Sequence, residues 1–183
     1  FERLLDKGGL VLLGHHADDQ VETVLYRLLR GSGVKGLSGI PPTRSIAKGQ
    51  LIRPLLAWQK STLRTYADQH KLSWIEDESN GENTFDRNYL RNQVIPEIAA
   101  RWPDHTQRIG HSARLSQETA ELLAALAEED LQRLDPVLER GGWSLCLVAF
   151  AALPVARQKN ILRQWPGIHE LPLPGRKIID EIM

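Results

Sequence analysis

The sequence has little cysteine, no net charge and no long apolar run, and each shortage excludes a class of protein. Cys146 is the only cysteine among the 183 residues, so the chain cannot form an internal disulfide, and a reducing compartment is favoured. The apolar neighbours of Cys146 predict a buried structural thiol rather than a nucleophile. No uninterrupted apolar stretch approaches the roughly 20 residues that a membrane-spanning helix needs. We therefore expect a cytoplasmic protein.

The formal net charge is zero, with 23 basic and 23 acidic side chains, so overall charge does not indicate a nucleic-acid partner. The local distribution is uneven, because no acidic residue occurs between Glu22 and Asp68. A glycine-rich stretch with charge of one sign favours a track for phosphate groups over an ordinary solvated surface. Its basic residues are Arg27, Arg30, Lys35, Arg44, Lys48, Arg53, Lys60 and Arg64.

The spacing of apolar residues predicts an α/β domain at the start of the chain. The run Leu10–Leu13 lies between glycines and suits a strand that is buried on both faces, as in a parallel sheet. An amphipathic helix follows, with acidic residues at its start, arginines at its end and Gly31 as its terminator. Its predicted apolar face consists of Val21, Val24, Leu25, Leu28 and Leu29.

Shorter elements complete this domain, and a mainly helical region follows a boundary that we place near Arg101–Pro103. Before the boundary, we predict a long loop over 31–50, a strand at 51–52 and a helix over 60–70 that buries Leu63, Tyr66 and Ala67. We then predict a strand at 74–75, a polar loop over 76–86 and a helix over 87–94 that stops at Pro96. After it, we predict a long helix over 109–134, a strand over 143–148, and helices over 154–165 and from Pro174.

Two histidines and three carboxylates lie in the segment Gly14–Thr23, where the first predicted strand leads into its helix. In parallel α/β sheets, ligands gather at the carboxyl ends of strands and near helix N-termini. Asp18 and Glu22 are one helical turn apart and Asp19 precedes Glu22 by three residues, so all three can face one pocket. Carboxylates this close repel one another unless a metal or an ammonium group joins them. The alternative is that they only cap the helix at the surface.

Several short blocks of residues follow one another along the first half of the chain. The first part is His15-His16-x-Asp18-Asp19-x-x-Glu22-Thr23, continued by Leu28-x-Arg30-Gly31-x-Gly33 and Gly36-Leu37-x-Gly39. The later blocks are Arg53-Pro54-Leu55-Leu56, Trp74-Ile75-Glu76-Asp77-x-Ser79-Asn80 and Arg87-Asn88-x-Leu90-Arg91. Together they resemble the tRNA(Ile)-lysidine synthetase family, a branch of the PP-loop ATP pyrophosphatases. The first block alone is shared by several PP-loop enzymes, whereas all the blocks in this order are specific to that family.

The resemblance implies a fold in two parts. Residues 1–101 correspond to the C-terminal half of a Rossmann-like, parallel-sheet PP-loop ATPase domain, and residues 102–183 to a truncated, mainly helical tRNA- or substrate-binding domain. The Ser-Gly-Gly-x-Asp-Ser loop that grips pyrophosphate in the family is absent from these residues. We therefore expect that the loop precedes Phe1 and that this fragment alone is inactive.

The resemblance also implies a ligase that forms a carbon–nitrogen bond. ATP, with Mg²⁺, would adenylate the wobble cytidine of the tRNA(Ile) anticodon, and free lysine would then displace AMP to form lysidine. Three alternatives remain open: another PP-loop tRNA-modifying enzyme such as a thiolase, an RNA-binding module without catalysis, and a metal-dependent phosphohydrolase that uses His15, Asp18 and Asp19 as ligands. Thiolases of this type commonly depend on cysteine pairs, which the single Cys146 argues against.

Roles follow from the resemblance for individual residues. Lysine binding is expected from Asp18, Asp19 and Glu22, whose carboxylates suit ammonium groups. Catalytic roles are expected for Asp19, Glu22, Arg87 and His15: a carboxylate takes the proton of the attacking amine, Arg87 holds phosphate oxygens, and His15 contacts the nucleotide or orients an acid. The expected tRNA-binding residues are Arg27, Arg30, Lys35, Arg44 and Arg53. The sequence does not single out metal ligands.

Overall fold

A computed structural model describes residues 8–46, 48–75, 86–168 and 176–182 of the chain. Contacts divide it into two units, Phe1–Gln117 and Glu118–Met183, so that the division falls within one long helix. The boundary that the sequence suggests at 101/102 stays a prediction. Among the described residues, no helix has both the length and the apolar character needed to cross a membrane.

A small mixed sheet organises the first unit. Within the described residues its strand order is β1 (Leu10–Leu12), β3 (Gly49–Ile52) and β2 (Thr43–Ile46). Both predicted strands are confirmed; β1 and β3 are parallel neighbours, and β2 pairs with β3 in the antiparallel direction. The expected burial of β1 on both faces is wrong, because Leu10 and Leu12 are 60% and 65% exposed. They share one face of an edge strand, which the described residues leave open.

Helix α1 (Ala17–Leu29) follows β1 as predicted and ends before Gly31, whose φ of +72° is readily adopted only by glycine. Its apolar face is shorter than expected, since Val21 is buried but Leu28 and Leu29 are largely exposed. The polar Glu22 is buried instead. The reason is that a later part of the chain packs against the first half of α1 and covers it with arginine side chains.

Residues 31–50 contain regular structure, so the prediction of one long loop is wrong. A short helix, α2 (Val34–Leu37), is followed by the hairpin of β2 and β3. Side chains of α1 hold this segment: Gln20 bonds both the N–H and the C=O of Ile40, and Arg27 donates to the carbonyls of Gly36 and Gly39. The segment has no periodic apolar pattern of its own, so these hydrogen bonds to α1 hold its backbone in place.

Helix α3 (Lys60–Gln69) agrees with the predicted helix over 60–70, although its expected apolar face is not buried. Tyr66 is exposed and its ring lies 4.2 Å from that of His70, centroid to centroid. The predicted strand at Trp74–Ile75 is wrong, because these residues are extended chain without a strand partner and Ile75 is almost fully exposed. The predicted polar loop lies outside the described residues except for Asp86, which begins the next helix.

A continuous helical stretch runs through α4 (Asp86–Tyr89), a π turn (Leu90–Val94) and α5 (Ile95–Arg101). The predicted helix over 87–94 is confirmed, but the predicted stop at Pro96 is wrong. In the π turn the N–H of Ile95 donates to the carbonyl of Leu90, five residues back. Pro96 then lies in the first turn of α5, where the missing N–H of proline costs little.

The long helix α6 (His105–Leu134) confirms the predicted helix over 109–134, and its part from Glu118 onward belongs to the second unit. Strands β4 (Val137–Glu139) and β5 (Gly142–Ser144) form a hairpin, and helices α7 (Leu147–Ala151), α8 (Val155–Ile168) and α9 (Arg176–Ile182) follow. The predicted strand over 143–148 is therefore correct only at its start. Cys146 precedes α7 and is exposed, so the expectation of a buried thiol is wrong.

The core of the second unit combines apolar packing with paired polar groups. Leu131, Leu134 and Ile161 form its buried cluster. Asp130 is fully buried, and Arg157 of α8 donates to both of its carboxylate oxygens, with a distance of 2.8 Å from Nε to Oδ2. A buried acid needs such a partner because an isolated charge is costly to remove from water.

Gly39→Ala should destabilise the first unit. Gly39 has a φ of +67°, and a Cβ there would lie 2.5 Å from Oε1 of Gln20, so the substitution strains the backbone and displaces the side chain that holds Ile40. We expect a loss of about 1–2 kcal/mol in the free energy of unfolding, measured by urea denaturation. Gly33→Ala is the control, because Gly33 has a φ of −76° and open space around its Cβ position. Equal effects of the two substitutions would contradict the prediction.

Candidate active site

The start of α1 is held by backbone contacts to two other parts of the first unit. The N–H of Ala17 donates to the carbonyl of Trp58 (2.8 Å), and the N–H of His16 donates to Oδ2 of Asp19 (2.8 Å), which caps its own helix. Asp18 accepts from the N–H of Lys60 (2.8 Å), the first residue of α3. Because the first turn of α3 has no acidic residue, Asp18 supplies the negative charge that a helix N-terminus favours.

Glu22 is paired with Arg91 of the π turn through two hydrogen bonds. Nε of Arg91 lies 2.5 Å from Oε1 and Nη2 lies 2.8 Å from Oε2, while the glutamate is only 2% exposed. Nη2 of Arg91 also lies 3.6 Å from Asp19, and the bond to Glu22 raises the pKa of the guanidinium above its usual value. Arg91 is therefore the cation that lies between Asp19 and Glu22.

Sequence reasoning did not assign a role to Arg91. It belongs to the block Arg87-Asn88-x-Leu90-Arg91, where it follows Arg87 by four residues, so helical spacing places both arginines on one face. Both contact α1, since Nη2 of Arg87 donates to Oγ1 of Thr23 at 2.9 Å. This spacing was the one available signal, but it does not indicate which carboxylate each arginine meets.

A cavity of about 300 Å³ opens beside these acids. Val21, Ile95 and two residues of α6 provide the rest of its wall. The side chains of Asp18, Asp19 and Glu22 are 43%, 17% and 3% exposed, so Asp18 is the most accessible acid. The charged and titratable residues that line the cavity are His16, Asp18, Glu22, Lys60, Arg91 and His105.

His16 lies between two carboxylates. Its buried Nδ1 has no hydrogen-bond partner within the described residues and lies 3.5 Å from an oxygen of Asp18 and of Asp19. The contact with His16, followed by the backbone N–H of Lys60, lowers the pKa of Asp18 to about 2 despite partial burial. The same contact with Asp18 raises the pKa of His16 above 6.5. The imidazole can therefore add a positive charge to the cavity near neutral pH.

The structure places Asp18 and Glu22 in the lining of this cavity and Asp19 beside it, 3.6 Å from Arg91, whereas His15 and Arg87 lie outside the lining. Nδ1 of His15 accepts a hydrogen bond from Nε of Arg53 (3.3 Å). Arg87 is exposed beyond its bond to Thr23. Across the described ranges, no group of three His, Cys, Asp or Glu residues is arranged to hold a metal ion.

The five arginines and lysines expected to bind RNA differ in their surroundings. Arg30, Lys35 and Arg44 are exposed, and the guanidinium of Arg30 lies over the ring of Tyr26. Arg27 donates to two carbonyls of the glycine-rich segment, which gives it a structural role. Arg53 is partly buried and donates to the carbonyl of Pro41 at 2.7 Å.

Comparison with known proteins matches both parts of the chain. A family model described as a PP-loop domain matches residues 1–98, and one described as a TilS substrate binding domain matches residues 145–183. The tRNA(Ile)-lysidine synthase of Alkalilimnicola ehrlichii is 43% identical over 177 residues, and that of Coxiella burnetii is 42% identical over 182 residues. The matches cover 97% and 100% of this chain, but only 39% of each relative.

The corresponding synthase of Pseudomonas putida is 44% identical over 168 residues, which is 90% of this chain and 39% of that protein. The chain thus spans about two fifths of the length of the curated relatives that it matches. The matched residues contain the acidic cavity, its arginine and the sheet that positions them. Because the PP-loop model covers more than half of the residues, this chain belongs to the PP-loop family, with a substrate-binding segment after the PP-loop domain.

Proposed function

We propose that the chain is part of an enzyme that ligates lysine to the wobble cytidine of the tRNA(Ile) anticodon, with ATP as the activating substrate. The observation that carries the proposal is the acidic cavity at the start of α1, in which Glu22 is held by Arg91 while Asp18 stays accessible. The relatives that share this segment are tRNA(Ile)-lysidine synthases. They favour this reaction over that of another PP-loop tRNA-modifying enzyme. A cytoplasmic location stays a prediction.

The cavity has the charge that free lysine requires. Asp18 and Glu22 of the lining, together with Asp19 beside Arg91, exceed the two cations Arg91 and Lys60 by one negative charge when the histidines are neutral. Free lysine carries two ammonium groups and one carboxylate at neutral pH, and therefore one net positive charge. We assign Asp18 and Asp19 to the ammonium groups. Both oxygens of Glu22 are engaged by Arg91, so Glu22 contributes as a positioning residue that fixes the guanidinium.

The proposed reaction has two steps. The ring carbonyl oxygen of the cytidine attacks the α-phosphorus of ATP and pyrophosphate leaves; the lysine amine then attacks the activated ring carbon and AMP leaves. Only a neutral amine is nucleophilic, so a carboxylate of the cavity must accept its proton. The low pKa of Asp18 makes Asp18 a weak proton acceptor, so we assign this proton transfer to Asp19. The Mg²⁺ expected with ATP would neutralise charge on its phosphate groups.

His15 and Arg87 act beside the cavity in this proposal. Arg87 is exposed and presents a guanidinium that suits phosphate oxygens of ATP or RNA. His15 contacts Arg53 rather than an acid, so we assign it a positioning role. The exposed Arg30, Lys35 and Arg44 provide positive charge for the RNA backbone.

Glu22→Gln should abolish lysine transfer by the full-length gene product while preserving tRNA affinity. The amide cannot compensate the charge of Arg91, which is left partly buried, and the cavity loses its net negative charge. We expect kcat/KM for lysine to fall by about 100-fold or more, and Asp19→Ala to act in the same direction. The measurement is incorporation of labelled lysine into tRNA. Glu97→Gln, at an exposed position of α5, is the matched control. Unchanged transfer by Glu22→Gln would instead support an RNA-binding module without catalysis.

The KM for lysine should rise as the pH falls from 8 to 6. In this range His16, whose pKa is raised above 6.5, gains a proton while Asp18 remains ionised, and the new positive charge repels the ammonium groups. We expect about a fivefold rise, determined from initial rates at saturating ATP and tRNA. His16→Gln should remove this dependence, whereas His70→Gln, outside the cavity, should retain it. A pH-independent KM in the unsubstituted protein would contradict the assignment.

Between pH 8 and pH 6, the contribution of His16 to the free energy of unfolding should increase as the pH falls, whereas lysine binding should weaken. Since folding raises the pKa of His16, its contribution to stability is fully present below pH 6.5 and is lost as the pH rises through the higher pKa of the folded state. Folding lowers the pKa of Asp18, so its contribution is present above pH 3.8 and is lost as the pH falls toward 2. A loss of lysine binding at pH 6 therefore cannot be attributed to unfolding at this site.

Replacing Arg30 and Lys35 together by glutamine should weaken tRNA binding and flatten its salt dependence. Each phosphate contact contributes about 0.9 to the slope of log K against log salt concentration. We expect the slope to decrease by about 1 to 2, measured by filter binding at several salt concentrations. Lys71→Gln removes an exposed charge outside the acid-free stretch and should leave the slope unchanged. A slope that does not respond to the double substitution would refute this role.

A further inference from the structure

A second and larger cleft lies in the first unit, next to the acidic cavity. Its volume is about 860 Å³, within the usual range for ligand sites. One wall is the segment that follows β3, including Arg53 and Trp58, and the other is the first half of α6, including Arg114. No carboxylate occurs among the described residues that line it. The two cavities share Thr106 and thus adjoin each other.

Among the residues that the structure describes, no carboxylate pairs with the guanidinium of Arg53. It is partly buried, and its hydrogen bonds go to neutral groups, the carbonyl of Pro41 and Nδ1 of His15. Burial, followed by the nearby charge of Arg44, lowers its pKa. A partly desolvated guanidinium without a carboxylate is unfavourable by itself and is stabilised by an anion. Arg53 therefore indicates an anionic ligand in the cleft.

The opposite wall presents a second guanidinium on a regular helical face. Nη2 of Arg114 lies 3.2 Å from Nδ1 of His111, one turn earlier, and both side chains are exposed. Gly110 also lines this wall, next to His111 and one turn after Gln107. A Cβ at this position would meet no atom within 4 Å, so the backbone of the helix is accessible there. A backbone without a side chain permits close approach of a flat or extended ligand. Both walls of the cleft thus carry positive charge.

Trp58 gives the cleft an exposed aromatic surface. Its side chain is 53% exposed, although its backbone is fixed by two hydrogen bonds, from its N–H to Leu55 (2.9 Å) and from Ala17 to its carbonyl (2.8 Å). The same hydrogen bond anchors the start of α1, so the backbone of Trp58 lies next to the residue that precedes Asp18 and Asp19. Exposed aromatic rings beside basic residues are typical surfaces for single-stranded RNA, whose bases stack on them.

We propose that this cleft binds the nucleotide adjoining the reacting cytidine, with its base against Trp58 and its phosphate between Arg53 and Arg114. This rests on the proposed function, in which the cytidine reacts at the neighbouring acidic cavity. A polynucleotide is favoured over a free nucleotide because Arg44 extends the same positive surface beyond the cleft, as a continuous phosphate backbone requires. In this proposal the cleft binds the RNA next to the reacting cytidine, whereas the acidic cavity binds the amino groups of lysine.

The test measures binding of a short single-stranded RNA with a central cytidine to the full-length protein and to two variants. Trp58→Leu should weaken binding by about 5- to 100-fold without changing the salt slope, because stacking does not release counterions. Arg114→Gln should weaken binding and reduce the slope by about 0.7. Trp102→Leu, at a similarly exposed tryptophan, and Arg108→Gln, on the same helix, lie outside the cleft and are the controls.

The outcomes separate this proposal from the lysine reaction. If Trp58→Leu and Arg114→Gln weaken RNA binding but no lysine is transferred by the unsubstituted protein, the nucleotide site stands and the proposed reaction is wrong. If lysine is transferred and both variants bind the RNA like the controls, the nucleotide site is wrong. If the variants lose affinity for ATP and retain affinity for the RNA, the occupant is a free nucleotide, which also overturns the proposal.

Discussion

The ion pair between Glu22 and Arg91 is the interaction on which the rest of the site depends. It joins residues 69 positions apart, closes the π turn against α1, and places the guanidinium near Asp19 as well. Without it, three carboxylates would face one another in a partly buried space, which is unfavourable unless a cation is present. The pair leaves Asp18 as the accessible acid, and so it determines which carboxylate can meet a ligand.

The fold places acidic and basic side chains in different cavities of the first unit. The net charge of zero conceals an acidic cavity at the start of α1 and a neighbouring cleft whose walls carry Arg53 and Arg114. The adjoining cavities suit a cationic metabolite and an anionic polymer, which are the two classes of reactant in the proposed ligation. The backbone hydrogen bond between Ala17 and Trp58 joins two residues that line the cleft, and Ala17 directly precedes Asp18 of the acidic cavity. A reaction that joins an amine to an RNA base requires such an arrangement.

Both units use a buried acid and an arginine to join helices that are distant in sequence. In the first unit this is Glu22 with Arg91, and in the second it is Asp130 with Arg157, 27 residues later. A buried acid and its arginine must lie within hydrogen-bonding distance of each other, because separating them leaves an uncompensated charge in the interior. They specify which helices pack together in regions where few large apolar side chains are buried. The two units thus share one means of fixing helix contacts.

Local spacing in the sequence determined helix α1 and the grouping of Asp18, Asp19 and Glu22 in its first turns, because these features depend on residues within a few positions of one another. The parallel pairing of β1 with β3, which aligns Leu10 with Gln50, was decided by the tertiary structure. Only the tertiary structure decided that Arg91 is their cation, that Gln20 and Arg27 organise residues 31–50, and that helix continues through Pro96. It also decided the exposure of Leu10, Leu12, Cys146 and Trp58. Hydrogen-bond partners and burial of this kind depend on residues that come together only on folding, and no local periodicity encodes them.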